Sequence, residues 1–539
     1  MIAICFVAII VGLNLIDFGD FNGGPLIRKL SDRAFINVFS LVSGLIAAGC
    51  VAFWLFKYSG ASRKALFGIV AVCAMALLVL AICYRVEAVR GDLRPEFRWR
   101  WSKAPDRELA PIVAAKKSVD LTLTSPNDFP QFLGPHRSLI LRGRRLSADW
   151  ASTPPKRMWS RRIGAGWSAF SAVNGFAITQ EQRGDEELVT CYEIATGEVV
   201  WTNSIAARHE TTMGYVGPRA TPTIHGGDVF TLGATGVLQR THGATGRTIW
   251  KKDLLAEKNS NPDQEADAIA WGRSGSPLIY ENLVIVPLGG PKDGAKASLA
   301  AFEIETGEKK WEGGNRQASY ASPKYVSIRD TGLILSVNED SVSAHVPKTG
   351  KQVWEHAWYG NSTSEANCSQ PNVINDDSIL VTKGYGQGSM LVRLNAQGDG
   401  NDRFSSEVVW TNNRALRTKF TNVAVEDDFA YGLSDGMLQC INARTGEIEW
   451  KGAKRFGNGQ VLGVDGLLLV QSESGEITVV SLNAEKFQIL GSFQGLDADS
   501  GACWNNLCLY GNLLLIRNAQ QAACWELPTL KEDKGASPN

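Results

Sequence analysis

Cysteine is scarce in this chain: ten residues in 539, no two adjacent and none spaced as C-x-x-C. That excludes a disulfide-built scaffold, a zinc ribbon and a thioredoxin-type centre. Histidine is scarcer still. The six residues (His136, His209, His225, His242, His345 and His356) include no i, i+4 pair that could offer two metal ligands from one helix face. No G-x-x-x-x-G-K-[ST] phosphate loop occurs. Net charge is also absent, with 55 Lys+Arg against 55 Asp+Glu, but the balance is a cancellation. Residues 1–150 hold 19 basic and 11 acidic side chains, a net of +8, which leaves −8 for residues 151–539. A mildly acidic body argues against nucleic acid as a partner. What the chain has in excess is glycine (54) and tryptophan (16).

Long apolar runs are confined to the beginning. Residues 34–56 and 65–84 reach the ~20 residues that span a bilayer, and residues 2–16 are uncharged but short. Two or three transmembrane helices are therefore expected over residues 1–84, followed by a linker over 85–127. The stretch 2–16 has neither a basic start nor a small-residue cleavage site, so it does not read as a cleavable signal. Basic residues number three in the first loop (Arg28, Lys29, Arg33) and three in the second (Lys57, Arg63, Lys64). Five more (Arg85, Arg90, Arg94, Arg98, Arg100) follow the last helix. The first loop and the tail share a side, so the positive-inside rule favours a cytoplasmic body.

After residue 150 one phrase recurs: an alternating strand, a T-G turn, and a short strand closed by Trp. It reads CYEIATGEVVW at Cys191–Trp201, QRTHGATGRTIW at Gln239–Trp250, AFEIETGEKKW at Ala301–Trp311, SAHVPKTGKQVW at Ser343–Trp354 and CINARTGEIEW at Cys440–Trp450. A sixth copy, from Val392 to Trp410, carries an insertion, and a seventh, from Val480 to Leu490, has lost both turn and Trp. The eighth ends at Cys524-Trp-Glu-Leu-Pro528 with no strand after it. Gly supplies the positive φ that a hairpin turn needs, and period-2 alternation supplies the strands. A second hairpin precedes each copy, so each unit has four short strands, which is a β-propeller blade. The spare Trp-bearing strand Pro155–Ile163 can complete the last blade and leave no open edge. The expected fold is all-β, an eight-bladed propeller over residues 128–530, with residues 531–539 a flexible tail. Seven tryptophans (Trp159, Trp201, Trp250, Trp311, Trp354, Trp410 and Trp450) then hold one repeated, blade-docking position.

T-G-x-x-x-W phrases, intact in five of eight four-stranded units, resemble the pyrroloquinoline-quinone (PQQ) repeat superfamily, which holds both quinoprotein alcohol dehydrogenases and cofactor-free BamB-type scaffolds. The lead-in Asp128-Phe-Pro-Gln-Phe-Leu-Gly-Pro135 is similar to that of PQQ-like proteins of planctomycete-type bacteria. So are Gly217-Pro-Arg-Ala-Thr-Pro-Thr223, Trp271-Gly-Arg-Ser-Gly-Ser-Pro277 and the segment Arg85–Trp101. For a dehydrogenase the resemblance implies a vicinal Cys-Cys pair near the quinone, a calcium site and an Asp base. This chain has no Cys-Cys pair.

No catalytic or metal-binding constellation is legible. Cys191, Cys440 and Cys524 occupy equivalent strand positions of different blades and read as small core residues, whereas Cys503 and Cys508 are close enough in sequence to pair in an oxidising compartment. Gly432-Leu-Ser-Asp-Gly436 matches G-x-S-x-G but falls on the repeat's own hairpin turn. Asn395–Asp402 has a calcium-like composition without D-x-D-x-D-G and reads as a surface insertion. The segments before the innermost strands are richer: Trp167, Tyr215, Arg219, Trp271, Arg273, Tyr320, Asn367, Gln370 and Trp504. In a propeller these segments converge at one channel mouth, where aromatics with a few polar groups can receive a peptide or a small anion.

The expected function is a membrane-anchored, non-catalytic, monomeric propeller that binds a protein partner or small ligand at its face, similar to BamB-type scaffolds, without cofactor or nucleic acid. The alternatives are a quinoprotein oxidoreductase using PQQ and calcium, and the sensor domain of a membrane signalling protein. The family likeness favours an extracytoplasmic propeller, against the charge count.

Overall fold

The computed structural model describes residues 33–60, 62–89, 95–115, 117–396, 404–498 and 501–530. Two compact units are present. The first ends at Ala104 and takes in Thr211–Tyr215; the second comprises Pro105–Glu210 and the chain from Val216 onward.

The first unit contains α1 (Arg33–Tyr58) and α2 (Arg63–Cys83). Asn37–Tyr58 (mean hydropathy 2.2) and all of α2 (mean hydropathy 3.0) are long and apolar enough to cross a membrane. Only 11% and 6% of these stretches is buried, so their side chains lack an apolar environment within the protein. Ser62 caps α2 by accepting the Ala65 N–H at 3.3 Å. The expected helix over 2–16 and the expected tail over 531–539 lie outside the described residues. Tyr84, expected as the last helical residue, instead opens β1 (Tyr84–Val89), which pairs antiparallel with β2 (Pro95–Trp99). Apolar–polar alternation over Tyr84-Arg-Val-Glu-Ala88 favours a strand once the apolar run stops.

The second unit is the propeller. Its first blade is the meander β5 (Ser171–Val173), β6 (Phe176–Arg183), β7 (Glu186–Glu193) and β8 (Val199–Ala206), paired in that order. The pattern repeats through blades whose first strands are Thr223–His225, Leu278–Tyr280, Lys324–Ile328, Asn372–Ile374, Ala424–Glu426 and Gln460–Val464. First strands touch those of neighbouring blades, β5 meeting both Thr223–His225 and Cys508–Tyr510, and so line the axis. The eighth blade joins Cys508–Tyr510, Leu513–Arg517 and Gln521–Glu526 to β4 (Lys156–Arg162), with Cys524 opposite Trp159. The spare strand thus closes the ring. Middle strands such as Leu283–Gly289 are buried along their whole length because each sheet is covered on both faces.

The T-G turns seal the blade seams. The turn glycines Gly197, Gly246, Gly307, Gly350 and Gly446 have φ between 68° and 75°. Each lies against the indole of the preceding blade's tryptophan: Trp159, Trp201, Trp250, Trp311 and Trp410 respectively. Four of these indoles donate to the carbonyl three residues before the glycine: Trp159 to Ile194 (2.7 Å), Trp201 to Gly243 (2.8 Å), Trp250 to Ile304 (2.7 Å) and Trp410 to Ala443 (3.1 Å). Trp450 donates to Asn483 O at 2.9 Å and meets Phe487, since the following copy has lost its glycine turn. Trp354 is buried and stacks on His356.

Within the expected linker over 85–127, residues 105–115 and 117–127 run as a strap against the first two blades, Leu121 packing with Ile224 and Val229 of the second. Arg107 pairs with Asp185 at 2.6 Å, Lys117 with Glu193 at 2.6 Å, and Asp106 with Arg208 at 2.7 Å. Ala115 N–H adds a backbone bond to Val199 O at 2.8 Å. The nine described cysteines are free, Cys503 and Cys508 included.

Candidate functional site: the propeller axis and its two mouths

The segments preceding the first strands form a chain of links between blades. Trp167 N–H donates to Pro218 O (2.8 Å), Thr221 N–H to Ser276 Oγ (3.0 Å), and Ser276 N–H to Ser322 Oγ (2.9 Å). Ser369 Oγ donates to Thr421 O (2.5 Å), Gln460 Nε2 to Trp504 O (2.7 Å), and Asn505 Nδ2 to Ser168 O (2.9 Å). The sequence carries a signal for this ring that the aromatic pattern obscured: Thr221-Pro222, Ser276-Pro277, Ser322-Pro323 and Gln370-Pro371 each stand before a first strand. Proline holds its predecessor extended and removes a donor at the channel-facing edge, while the hydroxyl or amide bridges the seam.

The expected mouth residues divide into separate groups. Trp504 stands between Trp167 (ring centroids 4.7 Å) and Phe420 (4.8 Å), and its indole donates to Glu473 Oε1 at 2.7 Å. Trp271 stacks on Tyr320 at 5.4 Å, and the Tyr320 hydroxyl accepts the Trp271 N–H (3.0 Å) and donates to Ser362 O (2.6 Å). Arg219 is half-buried between these rings and Glu187 and donates to Gly217 O. Burial brings the guanidinium down to about 10 and pushes the Glu187 carboxyl up to about 7, although Glu187 accepts the Ala234 N–H at 3.2 Å. Burial, then the Arg219 charge, depresses His209 to about 3.

Arg273, Asn367 and Gln370 are engaged within the protein. Arg273 forms an ion pair with Glu265 (2.7 Å) and donates to Leu288 O (2.7 Å). Asn367 bonds the carbonyls of Asn338 and Glu339, and Gln370 that of Ser322. Tyr215 belongs to the first unit and has φ 62°. Ser434 of the G-x-S-x-G match ends the strand Phe429–Ser434, and its hydroxyl accepts the Arg417 N–H at 3.0 Å. Asp435 and Gly436 follow in a left-handed two-residue turn, φ 47° and 88°.

The least foreseen feature is that the lead-in segment lies in the channel. Phe129 bridges to Ala172 of β5, Pro130 O accepts the Ile224 N–H (2.8 Å), and β3 (Ile140–Leu141) pairs in parallel with Gly463 and Val464. Between these points Arg137, 3% exposed, reaches across the axis. It donates to Pro277 O, to Pro323 O (2.8 Å) and to Ser276 O (3.4 Å), with Gln131 Oε1 on its Nε (2.8 Å). Asp128 orders the entry by accepting from Ser125 N (2.8 Å) and Ser125 Oγ (3.0 Å), and ties it to the first blade by accepting the Asn174 N–H (3.3 Å). The Asp465 carboxylate fastens the exit by accepting the N–H groups of Gly143, Arg144 and Arg145 at 2.6–2.8 Å. Lys324 faces Arg137 and donates to Asn372 Oδ1 (2.9 Å); burial, then the Arg137 charge, brings it down to about 8.

A cavity of about 970 Å³ remains where the plug meets the far ends of three first strands. Its apolar wall includes Leu121, Leu141, Val173, Ile224 and Val425, and His136, His225, Arg142 and Glu426 also line it. This mouth lies opposite the one the aromatic pattern indicated. Among the described residues no group of three or more His, Cys, Asp or Glu is placed to hold a metal ion.

The family described as outer membrane protein assembly factor BamB matches residues 150–290 and 185–452, together more than half the chain. No curated protein matches. Similar solved structures include a europium-containing methanol dehydrogenase (10% identity, 75% of this chain and 98% of that one, TM-score 0.55). Another is the quinohemoprotein alcohol dehydrogenase of Comamonas testosteroni (11% identity, 77% and 83% covered, TM-score 0.53). BamB from Moraxella catarrhalis is also similar (16% identity, 69% and 100% covered, TM-score 0.47). At these identities the dehydrogenases establish a shared propeller fold.

Proposed function

The chain belongs to the PQQ-like β-propeller family, and from that premise we propose a membrane-anchored, non-catalytic propeller that offers a recognition surface to a protein or small ligand. The observation that carries this reading is the self-plugged axis. Residues 128–145 occupy the centre of the ring with Arg137 satisfied by the propeller's own carbonyls, so recognition is left to the faces. The 970 Å³ mouth, apolar with polar groups along its lining, suits an extended peptide or an amphipathic small molecule.

The donor set fits PQQ poorly. The quinoprotein alternative calls for neighbouring cysteines, whereas Cys191, Cys440 and Cys524 stand in three different blades, each raised by burial and none adjacent to another cysteine in sequence. Titrating the full chain in detergent with PQQ and calcium tests this: the proposal expects no change in absorbance and no shift in melting temperature. Tight, spectrally visible binding overturns it in favour of a quinoprotein oxidoreductase.

The same proposal places the propeller outside the cytoplasm. Val408, exposed on an outer strand, is a suitable labelling position. A Val408→Cys variant should react with a membrane-impermeant maleimide in intact cells, and absence of labelling assigns the propeller to the cytoplasm.

A further inference from the structure

The hairpin β1/β2 has two unlike faces. Its register sets Tyr84 opposite Trp99 and Val86 opposite Phe97, so these four side chains share one face. Arg85 stands opposite Arg98 on the other, where Arg98 Nε pairs with Glu87. On the charged face Arg98 and Glu87 satisfy each other, whereas the apolar face is open. Tyr84 is 41% exposed, Val86 48%, Phe97 64% and Trp99 45%, and Trp101 just beyond is 63% exposed. Tyr84 and Trp101 flank Trp99 with ring centroids at 5.4 and 5.1 Å, forming a continuous aromatic strip. The hairpin's other end is held within the same unit, with Ala88 buried and Val89 N–H donating to Thr212 O (2.7 Å), but the aromatic face has no such cover, and an exposed apolar strip of this kind needs it.

Its position says what covers it. Cys83 ends α2 and Tyr84 begins β1 with no residue between them. The far end of the hairpin is clamped to the same helix terminus: Arg100 N–H donates to Cys83 O (2.7 Å), and its guanidinium donates to Ile82 O (2.8 Å) and Ala81 O (3.0 Å). These bonds satisfy carbonyls that a helix end leaves unpaired. The 21 residues of α2 span about 31 Å, which matches a bilayer's hydrocarbon thickness. Its last turn therefore lies at the headgroup boundary, the level at which Tyr and Trp are favoured.

We propose that the face formed by Tyr84, Val86, Phe97 and Trp99, extended by Trp101, is seated in the interfacial layer of a phospholipid bilayer. There it fixes the angle at which the chain leaves the membrane, while Arg85, Glu87 and Arg98 stay on the aqueous side. The inference rests on α2 spanning the membrane.

The test uses the full chain reconstituted into vesicles of phosphatidylcholine brominated at a shallow acyl position, compared with a Trp99→Phe/Trp101→Phe variant. The emission lost in the variant reports these two indoles. It should be quenched by the brominated lipid and spared by aqueous iodide, with both proteins retained in the membrane after an alkaline carbonate wash. A Phe97→Trp variant, which keeps an aromatic ring in place, should gain emission with the same quenching pattern. Quenching by iodide and not by bromolipid, in protein that survives the wash, overturns the hairpin proposal and leaves the span intact. Extraction of the chain by the wash overturns the span, and the hairpin proposal with it.

Discussion

The indole of Trp201 lies so close to Gly246 that a Cβ on the glycine would stand 2.6 Å from the ring. The glycine is therefore required twice, by its φ of 72° and by the neighbouring blade. Gly246→Ala should destabilise the propeller by roughly 2–4 kcal/mol, combining left-handed strain with overpacking. Gly226→Ala provides the control, since Gly226 has φ 59° with open space around it, and should cost only about 1–2 kcal/mol. Denaturant midpoints of the two variants check the difference.

Trp201 also makes one hydrogen bond, to Gly243 O at 2.8 Å. Trp201→Phe should lose about 1–2 kcal/mol for an orphaned carbonyl and reduced packing, and Trp201→Ala about 3–5 kcal/mol for the seam itself. Thermal unfolding of both variants separates the bond from the packing.

Arg137 holds the plug across the axis. Arg137→Met keeps much of the volume but takes one donor from each of the carbonyls of residues 277 and 323, which retain Thr223 Oγ1 (2.6 Å) and Gln370 Nε2 (3.4 Å), an expected loss of roughly 1–3 kcal/mol. Limited proteolysis should then cut within residues 128–146, where the unaltered chain resists. Equal resistance in the two proteins contradicts the anchoring role.

Glu187 gives a pH dependence with a definite sign. Burial raises its folded value from 4.5 to about 7, so the folded state binds the proton more tightly than the unfolded one. Its contribution to stability is complete below pH 4.5 and is lost as pH rises through about 7. Relative to Glu187→Gln, the unaltered protein should lose up to about 3 kcal/mol between those limits. The comparison removes the opposing effect of His209, which is depressed and destabilises as pH falls. Melting temperatures from pH 4.5 to 7.5 provide the measurement.

The ring and its closure were legible because they repeat. T-G-x-x-x-W places a positive-φ residue and a large ring at fixed spacing, and β4 was recognisable because it carries Trp159 without a partner strand nearby in sequence. The site was less legible for a specific reason. Arg219, Trp271 and Trp504 drew attention as large polar or aromatic groups, yet part of that mouth is taken up by the local pair of Arg273 with Glu265 and by seam-crossing bonds such as Ser276 N–H with Ser322 Oγ. The Ser/Thr-Pro pairs that build those seams are small and individually unremarkable.

Two apolar helices and eight blades followed from the sequence alone, since each depends on spacing within a few dozen residues. Only the tertiary structure decided that Asp128–Arg145 fills the axis and that the open mouth lies at the opposite end. Arg137 finds its acceptors at residues 276, 277 and 323, well over a hundred positions away. Nothing local in the chain distinguishes a guanidinium bound for solvent from one bound for buried carbonyls. Periodicity specifies the elements, and the closed ring specifies which of their polar groups meet.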